Sequence, residues 1–156
     1  MTTREAILEK LGFPLDRLPK PAALYETVVL TGDLAFVSGC LPIDGPDGAL
    51  LRGKLGKDLT VEEGQKAAAL AAANVLRALA RKLGSLDAVV RIVKLGGYVS
   101  SAEGFTDQHL VVNGASELMV EVLGEAGRHS RAAVGVFELP LGAAVEVEAI
   151  AEVRRP

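Results

Sequence analysis

Near its C-terminal end the chain alternates without interruption. Val145, Val147, Ala149, Ala151 and Val153 fall on one side of an extended backbone, and Glu146, Glu148, Ile150 and Glu152 fall on the other. Successive strand side chains point to opposite faces, so residues 144–153 are predicted to form a strand with one apolar face and one face carrying carboxylates. Residues 131–138 divide in the same way, with Arg131, Ala133, Gly135 and Phe137 on one side and Ala132, Val134 and Val136 on the other. Such strands need a cover for one face. The second face must meet water or another subunit, and its small, apolar and charged side chains suit an interface enclosing a polar pocket.

Two segments can supply the cover. Residues 60–83 open with Thr60 and Glu63, the pattern of a capping box, and end at Gly84. Ala68, Ala72, Val75, Leu76, Leu79 and Leu83 mark one apolar face at helical spacing, with Arg77, Arg81 and Lys82 mostly off it. A second helix is predicted over 106–124, with Val111, Ala115, Leu118 and Val122 on one face. Gly114, directly after Asn113, predicts irregular backbone there. Residues 24–31 and 34–38 read as strands joined by Gly32-Asp33, a two-residue hairpin signal. Residues 88–99 read as a further strand, in which Gly96-Gly97 marks a bulge or a close approach. Leu139-Pro140-Leu141-Gly142 reads as the turn between the last two strands. A short helix over 3–11, capped by Thr3, and a connector with Pro14, Pro19 and Pro21 come first. The expected class is α+β: a sheet with two main helices on one face, plus a short N-terminal helix. Residues 1–20 form the N-terminal helix and connector, and 21–156 a single domain.

Composition removes several functions. The 156 residues fit one domain, and 49 % apolar residues suffice for a core that, with 4 % aromatics and no Trp, must rest on Ala, Val and Leu. A net charge of −3 argues against a nucleic-acid partner, because phosphate binding needs a basic excess. The one cysteine, Cys40, has no internal disulfide partner and suits a reducing compartment. One Cys and two His make a poor zinc set, so no metal is expected. The apolar stretch around 67–80 is broken by Asn74 and Arg77, so no membrane span is expected, and the expected location is the cytoplasm. Residues 48–55 imitate a P-loop but lack the Ser or Thr that must follow Lys54.

The run R-A-A-V-G-V-F-E-L-P-L-G-A-A-V-E-V-E-A-I-A (131–151) resembles the ending of the Rid proteins, also called the YjgF or L-PSP endoribonuclease family. That ending has an Arg opening a strand, a Leu-Pro turn and a strand carrying two Glu. Tyr25 stands fourteen residues before Gly39 of L-A-F-V-S-G, as the family's Tyr stands before its Ser-Gly, and 107–127 can be laid over the family's second helix. The stretches N-G-A-S (113–116) and G-R-H-S-R-A-A-V-G-V (127–136) look closer to a less characterised branch than to the deaminase one. The resemblance implies a chorismate-mutase-like fold with a mixed sheet, a homotrimer of three sheets around a central barrel, and three pockets at subunit boundaries. It also implies hydrolytic deamination of 2-imino or 2-enamino acids to 2-oxo acids and ammonia, with no cofactor and a small carboxylate as partner.

The resemblance also implies the site residues. Arg131 would grip the carboxylate, for which a planar guanidinium fork is suited. Glu146 would handle the attacking water, since a partly buried carboxylate can both accept and deliver a proton. Tyr25, Ser38, Gly39, Asn113 and Ala133 would shape the pocket, Asn113 only if one residue is inserted between it and Arg131, and Glu148 would be structural. Two positions depart from the deaminase pattern: Ala133 stands where a Cys is common, and Cys40 where a Gln is common. Cys40 reads as a buried small hydrophobe, His109 as a surface residue, and His129 as a surface-turn residue with an acid–base role as the alternative. Binding of a small 2-oxo or amino acid carboxylate without turnover is the second reading; RNA cleavage is the least supported.

Overall fold

Local signals set the element ends. In the computed structural model, which describes residues 2–155, three helices and five strands follow one another: α1 (Arg4–Lys10), β1 (Val28–Thr31), β2 (Leu34–Cys40), α2 (Val61–Leu83), β3 (Val89–Ser100), α3 (Gln108–Leu123), β4 (Ser130–Val136) and β5 (Val145–Val153). The capping box opens α2: Thr60 Oγ1 accepts from the Glu63 amide at 3.2 Å, and Glu63 Oε2 accepts from the Thr60 amide at 2.8 Å. Gly84 closes the helix with φ 85°, a conformation that side chains resist.

The strands form one sheet in the order β1-β2-β5-β3-β4, in which β3 and β4 run parallel and the other neighbours antiparallel. Helices α2 and α3 lie on one face. Ala68, Ala72, Leu76 and Leu79 of α2, and Val111, Ala115 and Met119 of α3, are buried against Leu95, Val147, Ala149 and Ala151 of the sheet. The other face is open and carries Val29, Phe36, Lys94, Tyr98, Val134, Glu146, Glu148 and Ile150. This is the expected α+β arrangement, a mixed sheet with two main helices on one face.

Several local expectations change under tertiary packing. Helix α3 continues regularly through Asn113 and Gly114. The glycine is there because the helices cross closely: a Cβ on Gly114 would come 2.1 Å from the Gln65 carbonyl oxygen. Gly97 plays the same part under Val112, and the register shifts of β3 against β5 fall between Val89 and Lys94 instead of at the glycine pair. Arg77 is not off the apolar face but 1 % exposed. Its guanidinium donates to Pro14 O and Asn74 Oδ1, each at 2.8 Å, and pairs with Asp44 at 3.4 Å. A buried cation requires such partners, and here they tie the proline connector and the loop after β2 to α2.

The first strand begins only at Val28, because β2 offers no ladder partner before the Val28–Val37 pair, so Tyr25 precedes the sheet. Residues 139–142 do not make a hairpin turn. Strand β3 lies between β4 and β5, and the link passes across its end with Leu141 at φ 62° and its carbonyl held by Arg52 Nε at 2.9 Å.

Candidate functional site

Strand β4 is the sheet edge beside α3. Arg131 pairs in register with buried Leu95, so its side chain rises on the helix-covered side. There α3 presents positions 109, 113 and 116 along one stripe, as helical spacing requires. Arg131 Nη1 donates to Asn113 Oδ1 at 2.9 Å and to Ser116 Oγ at 3.1 Å, and Nη2 donates to the His109 carbonyl at 3.0 Å. All three acceptors are neutral, and among the described residues Arg131 makes no ion pair. A guanidinium has five N–H donors; here Nε–H and one Nη2–H are left over. Two donors on an uncompensated cation are what a carboxylate takes.

Asn113 thus meets Arg131 directly. Ala133, two residues along the same side of β4 and paired with Gly97, packs its methyl group against the core and adds no polar atom. His129 is not a loose turn residue. It is half-buried, with Nε2 2.9 Å from Ser116 Oγ and Nδ1 2.6 Å from the Gly127 carbonyl. Ser116, Val120, Arg128, His129 and Arg131 line an open cleft of about 290 Å³. Ser116 carries no signature of its own in the sequence; its place one helical turn after Asn113 is the signal that points to it. His109 is exposed as expected and contributes only its carbonyl.

A second group gathers at the end of β2. Val37 pairs with Ala149 and Cys40 with Val147, so β2 spends one residue more than β5 and bulges at Ser38-Gly39. Ser38 holds the bulge, its amide donating to Thr27 O at 2.9 Å and its hydroxyl to Glu26 O at 2.7 Å. The Glu146 carboxylate lies directly over Gly39, where a Cβ would come 1.9 Å from Oε1. Glu146 makes no ion pair among the described residues. Burial, reinforced by the charge of Glu148, raises its carboxyl above the usual carboxylate range. Tyr98 donates to Glu148 Oε1 at 2.8 Å on the same open face. Burial and the Glu146 charge push the Cys40 thiol up to about 12, which disfavours the nucleophilic thiolate. Cys40 and Tyr25 share a small hollow of about 50 Å³ with Pro19, Leu41 and Asn74.

The expected site residues therefore fall into two sets. Asn113, Arg131 and Ala133 stand at the β4 edge on the helix side. Tyr25, Ser38, Gly39 and Glu146 stand at the far end of β2, with Glu146 on the open face. Arg131 and Glu146 face opposite sides of the sheet, two strands apart, and one protomer does not bring them onto one small ligand.

The family described as "YjgF/chorismate_mutase-like, putative endoribonuclease" matches residues 6–153. Protein TCP17 of Trypanosoma cruzi is 47% identical over 148 residues, 94% of this chain and 92% of that protein. The crystal structure of Atu1372 from Agrobacterium tumefaciens, a protein of unknown function, is similar with a TM-score of 0.89 at 44% identity, covering 97% of this chain and 94% of that one. E. coli TdcF, crystallised with bound serine, is similar with a TM-score of 0.64 at 25% identity, covering 89% of this chain and 94% of that one.

Proposed function

Because this chain belongs to the Rid family, also called the YjgF family, we propose that it hydrolyses small 2-imino or 2-enamino acids to 2-oxo acids and ammonia, in a pocket completed when copies of the chain associate. The observation that carries this reading is Arg131: a cation oriented by three neutral oxygens, without an ion pair among the described residues, with two N–H donors left for a carboxylate. The serine bound to TdcF is a small amino acid and agrees with this ligand class.

The chemistry needs little else. An enamino acid first becomes the imino acid, its nitrogen losing a proton as its β-carbon gains one. Water then adds to the carbon of the C=N bond with a proton passing to nitrogen, and the carbinolamine collapses to a ketone as its hydroxyl proton passes to the departing nitrogen, which leaves as ammonia. Glu146, whose raised carboxyl can hold a proton or take one, serves both transfers. Gly39 lets its carboxylate lie close to the β2 backbone.

Self-association joins the two sets. The open face that carries Glu146 also exposes Val29 (52%), Phe36 (41%) and Val134 (43%), apolar surface of the kind that marks an interface. A homotrimer in which the β4 edge of one protomer meets the β2 end of the next puts Arg131 and Asn113 opposite Glu146, Gly39 and Tyr25.

The test is ammonia release from freshly generated 2-aminoacrylate. Wild type accelerates it, and Arg131→Ala loses about 100-fold or more, since two charge-assisted bonds are worth about 1.5–3 kcal/mol each. Wild type no faster than Arg131→Ala defeats the proposal. If calorimetry then shows 2-oxobutanoate bound without turnover, the protein is a carboxylate-binding module. RNA degradation that disappears in Arg131→Ala would replace both readings.

A further inference from the structure

We propose that Ser116 and His129 are positioning residues that fix the orientation and free donors of the Arg131 guanidinium; this rests on reading Arg131 as a carboxylate anchor. Gly127 anchors the His129 ring. Its carbonyl oxygen can only accept, so the His129 nitrogen 2.6 Å away, Nδ1, carries the proton. In the neutral ring Nε2 then presents a lone pair, and Ser116 Oγ, at 2.9 Å, donates to it. With its one proton spent, Oγ turns lone pairs toward Arg131 Nη1 at 3.1 Å. The bonds run in one direction, from Arg131 to Ser116 to His129 to the Gly127 carbonyl.

Without His129 this serine has another habit. A serine within a helix turns its hydroxyl back to the carbonyl one turn earlier, which for Ser116 belongs to Val112. The imidazole withdraws the hydroxyl from that carbonyl and aims it across to β4. Asn113 Oδ1 takes the second Nη1 proton at 2.9 Å, and the His109 carbonyl takes one from Nη2. The guanidinium is thereby held from the helix side by three oxygens, and only Nε–H and one Nη2–H stay available to a ligand. Ser116 and His129 act through Arg131.

Two measurements decide the matter. In the ligand-free protein, long-range proton–nitrogen correlation of the imidazole should find His129 in the Nδ1–H form, and the Arg131 Nη1 protons should exchange slowly with water in wild type and Ser116→Thr but faster in Ser116→Ala, where one of them loses its acceptor. An Nε2–H ring, or equal exchange in all three proteins, overturns the proposal. Calorimetry with 2-oxobutanoate should show binding weakened about tenfold in Ser116→Ala and His129→Leu, the usual cost of losing a bond to a charged group, and recovered in Ser116→Thr. Where wild type binds more tightly than Arg131→Ala, equal affinity of wild type and Ser116→Ala, or no recovery in Ser116→Thr, also overturns it. If wild type and Arg131→Ala bind 2-oxobutanoate equally poorly, the anchor reading of Arg131 falls, and the ligand-free measurements alone decide whether Ser116 and His129 hold the guanidinium.

Discussion

Two regions of the sheet, the β4 edge and the C-terminal end of β2 under Glu146 of β5, carry opposite charges in opposite states of preparation. At the β4 edge, Arg131 is a cation gripped by three neutral oxygens on the helix side. At the β2 end, Glu146 is a half-buried carboxyl on the open face, beside another carboxylate and without a cation. The first is ready to hold an anion. The second holds a proton more readily than an ordinary glutamate. Among the described residues neither group has an ion-pair partner.

Separating binding from turnover puts the greatest strain on this contrast. Arg131→Met should lower affinity for 2-oxobutanoate by about 100-fold or more, because two bonds to a charged group go at once. Glu146→Gln should leave that affinity within about threefold, yet cut ammonia release by about 100-fold, the usual scale for losing a general acid–base. Equal loss of binding in both variants would mean that the two ends do not have separate tasks.

Gly39→Ala is the next sharpest probe. Backbone strain does not enter, since Gly39 lies outside the left-handed region, but the new methyl would meet Glu146 Oε1 and must drive the carboxylate aside. Turnover should fall on the order of tenfold to 100-fold with ligand affinity kept, the scale of a misplaced catalytic group. Unchanged turnover would remove Glu146 from the chemistry.

The smallest effect is one of stability. Burial and Glu148 raise the Glu146 carboxyl in the folded state above its unfolded value, so the folded state binds the proton more tightly. Its stabilising contribution is fully present below the unfolded value and is lost as pH rises through the folded one. Glu146→Gln escapes that loss. Its melting temperature should exceed wild type at pH 7, and the gap should close as pH falls below the ordinary carboxylate range. A gap that widens on acidification would reverse the assigned direction.

The two ends also differ in how far they could be read from residues in a row. The alternation of β5, the hairpin at Gly32-Asp33 and the capping box at Thr60 were legible because each depends on neighbours a few positions away. Arg131 and Glu146 were legible as members of a familiar ending. The Arg131–Ser116–His129 chain was not, since its members come from α3 and the start of β4 and meet only when the helix lies over the strand. Arg77 was misplaced for the same reason: its partners Pro14 and Asp44 are 63 and 33 residues away.

By itself the order of residues determined which segments are helix and which are strand, and which two faces each strand owns, because backbone sterics and side-chain periodicity act over a turn or a pleat. Only the tertiary structure decided that β3 separates β4 from β5, and that Arg131 faces α3 while Glu146 faces away from it. Pairing between distant strands and the burial of one sheet face under two helices are set by the whole chain at once. A side chain's partners are therefore known only after its strand has found a neighbour.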